Sequence, residues 1–381
     1  MSKLLNKYFV HFTITIFLYS GLLKWINIGI DLTLISLLLI IVFVFIDFKK
    51  KRLSIKKSNT NSEIKILILF GLLYTLTFIY TVSNSYFIEK IGYLWIAIFS
   101  FLLPIIFLNN ENKVFNFIKV FKFLAKLGVL FLLYLLLTSQ WSLFITTQEE
   151  GTKIPNYLSV GSFLGVFIFL NHKNRKIVDI FFNLLAIGLL FFLSGRAPLL
   201  GLVTVFFIFY LLGKNKIKKI RIFIGLVVLG YFFIDLFINS REFLNSQRRL
   251  LSLFTETNVR YYQIQQVIEI IGENFFFGVG IGGYGIAADN VDVLWHPHNM
   301  ILEVLSESGI LITLFFLYFL FLIFIRNTIK TKLKSNMFVM ISIYLFLQAM
   351  KSGGIPDMRV TFFWFGFMTL ILKKYSNLKN F

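Results

Sequence analysis

The chain has 381 residues, 57% hydrophobic and only 15% charged, with no cysteine; a soluble domain carries about a quarter charged residues. The missing cysteine excludes a disulfide framework, a thiolate metal cluster and a thiol nucleophile. The net charge of +20 raises a nucleic-acid reading, but no basic segment is interleaved with stacking aromatics outside the apolar blocks, so no nucleic-acid partner is expected.

Apolar blocks with few charges recur along the whole chain, and its mean hydropathy is +0.81. About 20 residues at 1.5 Å rise cross a ~30 Å hydrocarbon core, and in lipid only segments that satisfy their own backbone do so. The expected fold class is all-α, a polytopic transmembrane helix bundle forming a single membrane domain over 1–381. Its twelve expected spans are 8–23, 31–48, 64–81, 91–108, 121–138, 157–170, 177–193, 197–213, 220–238, 301–325, 335–350 and 359–373. The first block follows Lys3 and Lys7 with no small-residue cleavage site after it, so it is expected to stay as an uncleaved span.

Alternate connections are basic: Lys49 to Lys57, Lys113 to Lys122, Lys173 to Lys176, Lys214 to Arg221, Arg326 to Lys334 and the tail with Lys373, Lys374 and Lys379. The positive-inside rule puts these, and both termini, in the cytoplasm. With this topology the inner side holds 28 of the 38 Lys and Arg but only 4 of the 18 acids. The excess positive charge is then a topology signal and an attraction to anionic headgroups. Arg is distributed the other way. Six of the ten outer basic residues are Arg (Arg196, Arg241, Arg248, Arg249, Arg260 and Arg359), against four of the 28 inner ones. Lys suffices for topology, whereas the planar guanidinium fork suits phosphate or carboxylate. Headgroup snorkelling by interfacial Arg is the alternative.

The long connection from 239 to 300 is expected outside the cell, and loops of that length are often functional. Within it, Asn258 is placed to cap a helix running to about Ile271. Tyr261, Ile264, Ile268 and Ile271 form one face, and Gly272 ends the helix. This reads as a helix on the membrane surface or over a cavity. Gly278-Val-Gly280-Ile-Gly282-Gly283-Tyr-Gly285 follows. It matches a dinucleotide fingerprint in form only, since no βαβ unit surrounds it; a close backbone approach to a ligand or a neighbouring helix is the better account. No cofactor is expected.

Trp295-His296-Pro297-His298-Asn299 closes the loop. Asp289 and Asp292 lie near, but the two His are separated by Pro297 and no further ligand set has metal spacing, so no metal is expected. His298 stands at the outer mouth of the tenth span, placed to act as a base or to donate to phosphate; leading into a helix capped by Asn299 is the structural alternative. Asn299, Glu303, Ser306 and Glu307 share one helical face. With His296 they either line a polar cavity or stand above the bilayer.

These residues resemble the O-antigen polymerase/ligase family of bacterial envelope proteins. Ser194-Gly195-Arg196-Ala197 is similar to that family's Ser/Arg/Gly/Ala turn, with Gly195 and Arg196 in the reverse order. Arg260 before Phe277-Gly278-Val279-Gly280 resembles its loop Arg and Phe-Gly-x-Gly segment. His296-Pro-His298-Asn299-Met-Ile-Leu-Glu303, followed by Glu307-Ser-Gly309, resembles its His-x-His-Asn lead into the next span. The resemblance covers about 157 to 325 and implies a metal-independent membrane glycosyltransferase in the bacterial cytoplasmic membrane. Its substrate would be an oligosaccharide on polyprenyl pyrophosphate and its other partners membrane lipids, a chain-length regulator and a flippase. An acceptor hydroxyl attacks the anomeric carbon as the lipid pyrophosphate departs. Guanidinium groups stabilise the growing charge, with Arg196 and Arg260 expected in that role and Arg248 or Arg249 assisting. His298 is the expected base, with Glu303 as the alternative. Polymerisation of repeat units is expected for O-antigen, capsule or exopolysaccharide. The alternatives are ligation to a lipid core, transport or flipping, and a non-catalytic scaffold.

Overall fold

A computed structural model describes residues 2–23, 31–49, 61–138, 157–172, 176–192, 197–211, 259–326 and 337–374. Among the described residues the regular structure is helical: α1 (Ser2–Tyr19), α2 (Leu32–Lys49), α3 (Asn61–Leu76), α4 (Tyr86–Phe107), α5 (Glu111–Leu137), α6 (Tyr157–Asn171), α7 (Ile177–Phe192), α8 (Ala197–Leu211), α9 (Val259–Glu273), α10 (Tyr284–Asp289), α11 (Met300–Phe321), α12 (Met337–Ser352) and α13 (Met358–Lys374). Eleven of the expected blocks fall on these helices; the twelfth, 220–238, lies outside the described residues. Among the described residues five stretches are long and apolar enough to cross a membrane: Ser62–Ile79, Tyr86–Phe107, Glu111–Leu137, Met300–Arg326 and Ile355–Lys373. Six further apolar helices are shorter. The chain is an integral membrane protein.

Helix ends differ from the sequence expectation where charge was read as loop. Helix α4 starts at Tyr86, not at 91, and takes Glu89 and Lys90 into its first turns. Helix α5 starts at Glu111, not at 121. Hydropathy excludes charged residues from a helix, but a paired charge or a polar flank is accommodated once neighbouring elements supply the partner.

The chain forms two compact units. One comprises Met1–Arg52, Asn112–Thr255 and Lys334–Tyr344. Its packing is aromatic: the rings of Tyr19, Phe121 and Phe163 lie 5.1–5.8 Å apart, a spacing favoured by edge-to-face and tilted pairs. Gly165 leaves room for the Tyr344 ring, whose hydroxyl donates to the Gly161 carbonyl at 2.8 Å. Lys126, a charge within an expected span, lies 2.6 Å from Asp179 of α7.

The other unit comprises Leu53–Glu111, Glu256–Leu333 and Leu345–Phe381. Helix α13 packs closely on α4, where Gly366 faces the Phe101 carbonyl. Phe319 joins them, 5.4 Å from Phe101 and 5.9 Å from Phe362, and Phe70 meets Phe316 at 4.9 Å to join α3 to α11. Three helix ends are tied together at one end of this unit. Lys373 reaches Glu63 at 2.5 Å, Ser62 donates to the same carboxylate at 3.0 Å, and Arg326 donates to Ser62 at 3.0 Å.

Candidate functional site

The opposite end of this second unit is built around a break in α11. Gly309 has φ 68°, ψ 178°, inside an otherwise helical run. An α-helix would bond the Ile310 N–H to the Ser306 carbonyl. Here Ile310 donates instead to the Phe275 carbonyl at 2.9 Å. The freed Ser306 and Glu307 carbonyls accept from Val279 (2.9 Å) and Gly280 (2.8 Å). Glycine-rich loop and opened helix therefore satisfy each other's backbone, as non-helical chain at membrane depth must. The close approach expected of the glycine run is to protein. Gly278 (φ 70°) faces the backbone at Glu307 and Gly309, Gly280 (φ 81°) faces Thr81, and Gly282 (φ 78°) faces Phe87. At each of these a Cβ would be strained by φ and blocked by backbone.

Three charges are buried beside the break. The Lys90 ammonium lies 2.5 Å from Glu303 and 2.7 Å from Glu307, all three side chains almost fully buried. The Glu307 carboxylate also accepts from the Tyr74 hydroxyl at 2.6 Å and the Gly282 N–H at 3.0 Å. Glu303 accepts in addition from the Ile355 N–H at 2.8 Å. One ammonium thus bridges two carboxylates, and the carboxylates hold the glycine loop and the start of the segment leading into α13. Opposite charges and several donors offset the desolvation penalty of such a group, so removing one partner is costly. The Tyr86 and Tyr284 hydroxyls are also buried, without a hydrogen-bond partner among the described residues. Burial, then nearby Asp289, pushes the Tyr284 phenol above its ordinary range.

The histidine pair stands at the start of α11. Asn299 caps that helix, its Oδ1 accepting from the Ile301 and Leu302 N–H groups at 3.0 and 3.1 Å. The His296 and His298 rings meet edge-to-face, centroids 4.7 Å apart. His298 adopts φ 53°, a left-handed conformation uncommon outside glycine and often found at functional positions. The His298 N–H donates to His296 Nδ1 at 3.2 Å. That leaves the proton of a neutral His296 on Nε2, a donor. Burial, then the Lys90 charge, lowers the His296 pKa to about 4, so this ring is neutral at pH 7. His296 also packs over Gly354, where a Cβ would meet both the imidazole and Glu303 Oε2.

The remaining candidates distribute as follows. Asp292 does not meet the histidines; it accepts from the Ser83 and Ser85 hydroxyls and from the Asn84 and Ser85 N–H groups at 2.6–3.0 Å. Burial raises its carboxyl, but those hydrogen bonds outweigh burial and hold it below its usual value. Asp289 accepts from Gln266 at 3.1 Å. Arg196, Arg248 and Arg249 lie outside the described residues, as does the Asn258 cap. Arg260 is in the first turn of α9, and its side chain is not among those described. Helix α9 runs through Gly272 to Glu273 rather than ending at Gly272, with Asn274 closing it by backbone and side-chain bonds to the Ile270 carbonyl at 3.0 and 3.2 Å. Of the face read from the sequence, Ile264 and Ile268 point outward while Ile271 packs against the core. Gln263, Val267 and Ile270 are buried, with Val267 and Ile270 in a core shared by Val279 and Tyr284, while Ile264 and Ile268 are exposed.

Sequence reasoning missed Lys90 and Tyr74. On the expected topology Lys90 is one of the ten outer basic residues, and its only signal is its place with Glu89 between Ile88 and Ile91. Tyr74 carries no signal in an aromatic-rich span.

No curated protein matches the chain. Residues 181–317 match the model of the O-antigen ligase family, a stretch holding all four candidate Arg (Arg196, Arg248, Arg249 and Arg260), the His296 and His298 pair, Asn299 and the buried Glu303 and Glu307; the match supports the resemblance to the O-antigen polymerase/ligase family carried by the motifs.

Proposed function

We propose that the protein is a polysaccharide polymerase of the bacterial cytoplasmic membrane. On its outer face it would join oligosaccharide repeat units carried on polyprenyl pyrophosphate. The family match over 181–317 supports the glycosyltransferase part of this reading, because every residue assigned to the chemistry lies within it; the choice of polymerase over ligase is the proposal's own. An acceptor hydroxyl attacks the anomeric carbon; the bond to the lipid pyrophosphate breaks, and the diphosphate leaves with the electron pair. Arg196 and Arg260 stabilise that charge, assisted by Arg248 or Arg249. His298 takes the hydroxyl proton. His296, neutral and donating through Nε2, orients a sugar or phosphate oxygen rather than competing for the proton. His298 is preferred to Glu303 as the base, because the Glu303 carboxylate already accepts from Lys90 and from the Ile355 N–H. A chain-length regulator and a flippase are the expected protein partners.

Purified protein given a defined lipid-linked repeat unit is expected to yield a ladder of polymer. His298→Ala, Arg196→Ala and Arg260→Ala each abolish the ladder at unchanged protein level; a normal ladder from all three refutes the site. Ligase activity would instead leave detached full-length polymer in cells lacking the gene. A flippase would leave repeat units on the inner leaflet.

A further inference from the structure

In the second unit two helices measure the same distance from a common origin. The origin is the tied end, where Arg326 donates to Ser62 and Ser62 to Glu63. Along α3 and its 3-10 extension, Glu63 to Tyr80 is seventeen residues; along α11 and its π-helical continuation, Arg326 back to Gly309 is also seventeen. At 1.5 Å per residue each is about 25 Å. Both arrive at one short segment. Tyr80 donates to the Phe277 carbonyl at 2.7 Å, and Ile310, beside Gly309, donates to the Phe275 carbonyl. A hydrocarbon core is ~30 Å thick. With the charged tied end at one border, the corner Phe275-Phe276-Phe277 lies inside the core, just short of the other border.

Its side chains suit that depth. Phe275, Phe276 and Phe277 are 43%, 62% and 67% exposed in the protein alone. They continue surfaces that belong in lipid: Leu72, Leu76 and Ile79 of the α3 run, and Leu311 and Leu314 of α11, all exposed. The apolar flank of α9, Ile264 and Ile268, leads down to the corner, while Glu269 and Glu273 are exposed on another flank. This is the division of an interfacial helix. Of the corner's backbone, the Phe275 and Phe277 carbonyls are bonded as above, and the Gly278 N–H that follows donates to the Asn274 carbonyl.

We propose that this part of the long loop is a re-entrant anchor: the Phe275–Phe277 corner and the α9 flank are embedded among the acyl chains of the adjacent leaflet. Embedding fixes the height of the glycine loop and of Arg260's helix at the headgroup plane. It deepens the functional reading, which needs a lipid diphosphate met at that height, but its test does not depend on activity.

The chain has no cysteine, so single-cysteine variants carry one spin label each. Phe276→Cys and Ile268→Cys remove exposed side chains; Leu72→Cys serves as the lipid reference and Glu273→Cys as the water reference. In liposomes of phosphatidylethanolamine and phosphatidylglycerol, labels at 276 and 268 are expected to be relaxed several-fold more by oxygen than by a water-soluble nickel chelate, as at 72, with the order reversed at 273. A label at 276 as accessible to nickel as that at 273 overturns the anchor. That result with polymer formation intact would leave the glycosyltransferase reading standing; absent polymer with a lipid-facing 276 would overturn only the latter.

Discussion

At the scale of single residues, Lys90 decides most. It is the one ammonium between two buried carboxylates. Lys90→Met leaves both without a counter-charge, and the expected destabilisation is about 3–5 kcal/mol, the usual cost of orphaning a buried charge. Adding Glu303→Gln and Glu307→Gln should recover a good part of it, because the desolvation problem goes with the charges. Thermal unfolding in detergent, followed by tryptophan fluorescence, reads both. Lys90→Met without loss of melting temperature would show that the cluster contributes nothing. His296 supplies the pH dependence. Its folded pKa of about 4 lies below the unfolded value of ~6.5, so the unfolded chain binds the proton first. Its contribution to stability is whole above pH 6.5 and lost as pH falls toward 4. His296→Asn is expected to flatten the melting temperature between pH 7 and 5 relative to the parent; an unchanged slope removes His296 as the cause.

Among the elements, the opened turn of α11 organises the site. A glycine in an apolar span is ordinarily only a weak point in a helix, about 1 kcal/mol against alanine. Gly309 differs because its φ is positive and its Cα faces the Phe276 carbonyl. Gly309→Ala therefore loses the conformation as well as the space, and a drop of 2 kcal/mol or more in stability is expected. Gly272→Ala, on an exposed turn of α9 with nothing within 4 Å, should be neutral or stabilising by up to about 1 kcal/mol. Parallel melts of the two variants test the contrast; equal effects would mean that the break at Gly309 is not maintained. The Asp292 clamp belongs to this scale too. Asp292→Ala deprives the Ser83–Ser85 turn of four donated hydrogen bonds, and faster proteolysis at that turn is the expected sign.

Across the whole molecule, the testable property is sidedness. The tied end and the Lys90 cluster lie at opposite ends of the second unit, joined by α3, α11 and α13. If basic connections face the cytoplasm, an impermeant maleimide added to intact cells labels His298→Cys and Arg196→Cys but leaves Lys332→Cys unlabelled until the membrane is opened. Labelling of Arg196→Cys and His298→Cys from opposite sides would end the enzymatic account.

The amino-acid string alone sets the class of solvent and the order of the helices. Both depend on composition summed over windows of about twenty residues, and no single contact changes such a sum. It also marked the histidines, the glycine run and the family motifs, since those are local strings. Only the tertiary structure decided that Lys90 and Glu303, 213 residues apart, share a hydrogen bond, and that α11 opens at Gly309 to receive the glycine loop. It alone decided which α9 residues face outward, Ile264 and Ile268, and which enter the core, Val267 and Ile270. Each of these is a pairing between distant segments. A charge, a glycine or an isoleucine reads the same in sequence whether its partner is water, lipid or another helix, and only packing settles which.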